Sequence, residues 1–149
     1  MRSLLNEWRV FLSESKPIYG GILKLELPRI VRSEAEAMQI MLPEEAQRID
    51  RDSLHVTLIH QSILKPFRNK IKTIEFPVPP PVILEDEVWE RQSPGKKTWA
   101  VRLKNQKEMR DYVAQVMELL GSNNTNPEPE RVFHVSLANL TGNPRDSVR

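Results

Sequence analysis

Cysteine is absent from the chain. Its absence excludes a disulfide framework, thiolate metal sites and a cysteine nucleophile, and it fits a reducing compartment such as the cytoplasm. No apolar run approaches the roughly 20 residues that span a bilayer, so no membrane partner is expected. A secretory signal is not expected at the start either, because Asn6, Glu7 and Arg9 interrupt the apolar positions there and no cleavage pattern follows. Charge of one sign is scarce as well. A formal net charge of +2 is too small to mark a duplex-DNA binder, although a local basic surface could still meet small or single-stranded phosphate compounds. Histidine is the last scarcity, with three in 149 residues.

Two of those three sit in matching surroundings. Leu54-His55-Val56-Thr57-Leu58 and Phe133-His134-Val135-Ser136-Leu137 both read apolar, His, Val, hydroxyl, Leu. In an extended strand successive side chains point to opposite faces, so each His shares a face with its hydroxyl while the three apolar residues anchor the other face. One such tripeptide carries little weight, since a lone strand His is commonly a half-buried structural residue. The second copy repeats the apolar flanks as well as the polar pair, and that makes the signal specific.

The paired motifs resemble the His-x-Thr/Ser motifs of the 2H phosphoesterase superfamily. Its members include RNA 2′,3′-cyclic phosphodiesterases, 2′-5′ RNA ligases, enzymes cleaving 2′-5′ oligoadenylate, and phage enzymes that degrade cyclic-nucleotide immune signals. The resemblance covers roughly residues 18–140 and is loose between the motifs. It implies an α+β, bilobal fold in which two antiparallel sheets with flanking helices surround a central cleft and are related by a pseudo-twofold. It also implies that His55 and His134 are catalytic and that Thr57 and Ser136 bind phosphate. Because the family's first strand lines the cleft, Tyr19 becomes a candidate stacking residue, with edge packing as the alternative.

The chain in order fits one domain over residues 1–149. Leu4, Leu5, Trp8, Phe11 and Leu12 fall at helical spacing, so an amphipathic helix is expected near residues 3–14, packed on the domain or serving as a docking tag. Lobe 1, about 17–75, should hold a strand over 18–27 and a helix from the Ser33/Glu36 capping box to about Met41, followed by the first motif strand. Gly20 and Gly21 allow a bulge in the first strand. His60, five positions beyond His55, would lie on the opposite face of a continuous strand or at its end. Lys65, Arg68, Lys70 and Lys72 read as a solvated face.

The proline-rich stretch from Phe76 to Pro81 must be extended and should cross to lobe 2, about 82–140. There, strands over 82–90 and 97–103 should form a hairpin around Pro94-Gly95, with Trp99 toward the core and Arg102 toward solvent or a phosphate. Trp89 could clamp a base or simply pack. Asn105 and Glu108 should open a helix whose stripe is Met109, Tyr112, Val113, Val116, Met117 and Leu120, with Gly121 as its stop. Residues 122–130 should form an exposed, mobile loop.

Two imidazoles flanking one phosphorus can move the two protons that phosphodiester cleavage requires, and their ordinary pKa near 6.5 suits both roles. The scheme needs no metal and no cofactor. Two histidines make a poor zinc site unless Asp50 or Asp52 is recruited. The expected partner is a nucleotide, a cyclic oligonucleotide or an RNA end, with the signal-degrading type slightly preferred over RNA-end processing. A nucleotide- or RNA-binding module without chemistry, or a phage structural component, is the alternative from another class. Oligomeric state is left open by the sequence.

Overall fold

The computed structural model describes residues 15–148, so the helix expected over 3–14 lies outside the described residues. In chain order the elements are β1 (Lys16–Gly20), β2 (Ile22–Glu26), α1 (Arg29–Ile40), β3 (Gln47–Arg48), β4 (His55–Ile59), α2 (Gln61–Leu64), β5 (Leu84–Ser93), β6 (Lys96–Leu103), α3 (Gln106–Leu119) and β7 (His134–Asn139). The fold is α+β, with one antiparallel sheet of seven strands and three helices among the described residues. Where two sheets were expected, the strands run in a single order, β1-β2-β4-β7-β6-β5, with β3 added to β7. The motif strands β4 and β7 are neighbours at its centre, in register at Val56 and Val135.

Alternation explains why these strands sit there. Leu54, Val56 and Leu58, with Phe133, Val135 and Leu137, all enter one hydrophobic cluster, while His55, Thr57, His134 and Ser136 stay half-buried on the other side. Burying a Val, Leu or Phe side chain is worth about 1.5–3 kcal/mol, so slipping either strand by one residue would forfeit several such terms at once. Helix α1 lays Val31 and Ala35 on this cluster, and α3 lays Met109, Tyr112, Val113, Val116 and Met117 on it. Both long helices therefore cover the face opposite the histidines. No helix among the described residues is long and apolar enough to cross a membrane.

Several local expectations need correction. Residues 18–27 are a hairpin and not one strand: Gly21 takes φ 89°, a conformation that side-chain-bearing residues rarely adopt, and turns the chain back so that β1 pairs with β2. Helix α1 begins a turn before Ser33. Pro28, with φ −66°, stands at its N-cap, and the Ser33 hydroxyl donates to the Arg29 carbonyl at 3.1 Å from inside the helix. Asn105 does not cap α3 with its side chain; it donates instead to the Pro81 carbonyl at 2.7 Å and ties the helix start to the proline-rich crossover. The far end behaves as expected, since Gly121 at φ 77° lets the Ser122 N–H reach the Met117 carbonyl at 3.0 Å. Trp99 is buried but outside the main cluster, because a register shift between Trp99 and Ala100 interrupts the alternation of β6.

Candidate active site

His55 opens β4 directly after a 3₁₀ turn, Arg51–Ser53, whose start is capped by the Asp50 carboxylate accepting from the Asp52 N–H at 3.3 Å. That turn fixes the Ser53 carbonyl, and the His55 Nδ1–H donates to it at 2.7 Å. A carbonyl can only accept, so the proton of the neutral ring resides on Nδ1 and the titrating nitrogen is Nε2. His55 Nε2 lies 3.1 Å from the Thr57 hydroxyl, which donates to it in this tautomer.

His134 is held in the same way. Its Nδ1–H donates to the Val132 carbonyl, also two residues upstream, at 2.9 Å. Antiparallel pairing about Val56 and Val135 sets His55 across from Ser136 and Thr57 across from His134. The four motif side chains thus form one patch, with the imidazoles on its diagonal. All four line a single cleft of about 730 Å³.

Burial is the main reason that both imidazoles have pKa values below the ordinary 6.5. The upstream carbonyl opposes the shift in each case. Lys24 depresses His55 further, while Arg91, Arg131 and His55 depress His134. Both rings are therefore predominantly neutral at pH 7, with Nε2 able to accept a proton.

No protein-family model matches the chain, and no curated protein or solved structure matches it.

Trp89, the candidate base clamp, does line the cleft. Its ring meets His134 edge-on at 5.9 Å between centroids, with Arg91 over it at 4.7 Å and Arg102 at 5.3 Å. Pairing of Trp89 with Ala100 leaves room for the indole to extend over the small neighbour toward His134. Arg102 stands outside the cleft lining and donates to Glu85 at 3.2 Å. Tyr19 is not brought to the site: it pairs with Leu23 and packs against the hydrophobic cluster on the far face. Of the two places expected for His60, the strand end is the one observed, and not the opposite face. Strand β4 ends at Ile59, so alternation stops there, and His60 lines the cleft from the start of α2.

Three contributors had no signature in the sequence. Arg131 donates to the Thr57 carbonyl at 3.0 Å, touches His60 Nε2 and pairs with Glu128 at 3.4 Å. The end of the 122–130 loop consequently folds inward, and Glu128, Pro129 and Glu130 form part of the wall. Arg91 lines the cleft and donates to the Val148 carbonyl at 3.3 Å. The C-terminal segment supplies another wall through Pro144, Arg145, Ser147 and Val148. Asn139 fastens that segment, its Oδ1 accepting from the N–H groups of Thr141 and Gly142 while its Nδ2 donates to Ser147 at 3.2 Å.

Among the described residues no three His, Asp or Glu side chains group closely enough to hold a metal ion. Asp50 is engaged by its turn, and Asp52 faces Arg32 at 3.8 Å. The cleft instead combines two proton-accepting nitrogens, two hydroxyl donors and nearby guanidinium groups, a set suited to an anion that must gain one proton and lose another.

Proposed function

We propose that the protein is a metal-independent phosphodiesterase acting on a cyclic, 2′-5′ or 3′-5′ phosphodiester in a cyclic nucleotide signal or an oligonucleotide. One observation carries this reading: two imidazoles with the same tautomer, each fixed by the carbonyl two residues upstream, lie on the diagonal of one hydroxyl-bearing patch. One neutral Nε2 takes the proton from an attacking water or ribose hydroxyl. The other imidazole, protonated, delivers its proton to the departing ribose oxygen. Because burial and cationic neighbours favour the neutral rings, the negative phosphodiester itself helps the second imidazole to hold its proton. With substrate bound, the Thr57 hydroxyl turns its one proton from His55 Nε2 to a non-bridging oxygen, which frees Nε2 for proton transfer; Ser136 donates to the phosphate as well, and Arg91 and Arg131 lend positive potential beside His134.

The fold reading that accompanies this function is the 2H phosphoesterase one. Strands β1, β2 and β4 with α1 make one half, and β5, β6 and β7 with α3 make the other, related by a pseudo-twofold near Val56 and Val135. A cleft of about 730 Å³ is within the usual range for small-ligand sites and suits a nucleotide-sized substrate.

The test is turnover in EDTA with 2′,3′-cyclic mononucleotides, 2′-5′ oligoadenylate and cyclic dinucleotides as separate substrates. Cleavage of at least one is expected. Binding without turnover would instead favour a nucleotide-binding module, and activity that appears only on adding zinc would favour a metal hydrolase.

A further inference from the structure

The centre of the sheet is its least continuous part. Strands β4 and β7 are in register at Val56 and Val135, whereas the flanking pairs β2–β4 and β6–β7 run over several residues each. Each motif stands on one side of this seam, so their separation depends on whatever else holds the two strands together. Beyond Val56, the Thr57 carbonyl is taken by a side chain, the guanidinium of Arg131, at 3.0 Å. Arg131 lies on the chain entering β7, three positions before His134, and is 74 residues from Thr57. Contacts to Glu128 at 3.4 Å and to His60 anchor the guanidinium to the loop and to the start of α2, directly after β4. Its side chain is only 12% exposed, and its guanidinium carbon lies 5.9 Å from the centre of the Phe133 ring.

We propose that Arg131 is the positioning residue of the cleft, tying the strand that carries His55 and Thr57 to the segment that delivers His134 and Ser136. A planar guanidinium suits this task because its donors are set in a fixed fork and can serve a carbonyl, an imidazole and a carboxylate together. Lysine, with one ammonium on a flexible stem, would keep the charge but not all three directions. This inference rests on the phosphodiesterase reading only for its catalytic consequence. The mechanical link between the strands is independent of any activity.

The experiment compares the wild-type protein, Arg131→Lys and Arg131→Met by amide hydrogen exchange and by turnover of whichever cyclic substrate the wild type cleaves. In Arg131→Met, exchange in β4 and β7 should quicken by about tenfold while α3 is unchanged, and kcat should fall about 10²-fold, as expected when reacting groups shift by about an ångström. Arg131→Lys should lie between, and it serves as the decisive variant if the methionine protein does not fold. Unchanged exchange in β4 and β7, or equal acceleration in β4, β7 and α3, would overturn the proposal. If the wild type cleaves none of the substrates, the phosphodiesterase reading fails, but the exchange result still decides whether Arg131 links the strands.

Discussion

Gln39 donates its side-chain amide to the main-chain carbonyl of Leu137, 98 residues away, at 2.8 Å, and to that of Ile49 at 2.9 Å. The bond reaches from a helix on the core face into the second motif strand. It satisfies carbonyls in a region where water cannot, and Gln39 is accordingly among the few buried polar residues. Replacing Gln39 with Leu keeps the approximate volume but leaves the Ile49 carbonyl without this donor. The expected loss is about 1–3 kcal/mol of stability, read as a lower urea midpoint with an unchanged slope.

Thr57 is expected to act on the reaction and little on stability. Valine has nearly the same shape and the same preference for strands, so Thr57→Val removes the hydroxyl that donates to His55 Nε2 and faces the proposed phosphate. Loss of one such donor typically costs on the order of 10²- to 10³-fold in kcat. Steady-state kinetics should therefore show a large fall in kcat, with a thermal midpoint close to that of the wild type.

The lowered imidazole pKa values make stability depend on pH. In the unfolded chain both rings titrate near 6.5, so below that pH the unfolded state binds more protons than the folded state. The contribution is complete above 6.5 and is lost as pH falls through the lower folded values. Urea unfolding between pH 7.5 and 5 should show declining stability in the wild type. The decline should be shallower in a His55→Ala/His134→Ala double variant. An equal slope in both proteins would assign the pH dependence to other groups.

Asn139 holds the C-terminal wall through both ends of its amide. Asn139→Ala should release residues 141–148, raise KM several-fold and speed limited proteolysis there. Chymotryptic or tryptic fragments from β4 or α3 should not appear any sooner than in the wild type.

These residues also mark how far the sequence could be read. The motif strands and the stripe of α3 are legible because each repeats a period, from Met109 to Leu120 in the helix and across Leu54–Leu58 in the strand, and the β5–β6 hairpin is legible from the Pro94-Gly95 turn between its strands. The β1–β2 hairpin was not, since Leu23, Leu25 and Leu27 alternate as they would in one long strand and the reversal rests on Gly21 alone. Tyr19 is a stacking candidate only through the resemblance, and it takes the packing alternative instead. Period-two reasoning puts His60 on the opposite face only if the strand continues; β4 stops one residue before it, so the strand-end alternative holds. Arg91, Arg131 and the C-terminal wall belong to the cleft only through tertiary folding, and an isolated arginine or a Thr-Gly-Asn-Pro stretch carries no local pattern that would announce it.

The most direct measurement is turnover by His55→Ala, His134→Ala and the double variant, in EDTA, on the substrate cleaved fastest by the wild type. If the two imidazoles share the proton transfers, each single variant should lose about 10²- to 10⁴-fold in kcat, and the double variant should lose far less than the product of the two. Wild-type turnover by either single variant, with folding intact, would contradict the claim that His55 and His134 act together on one phosphate.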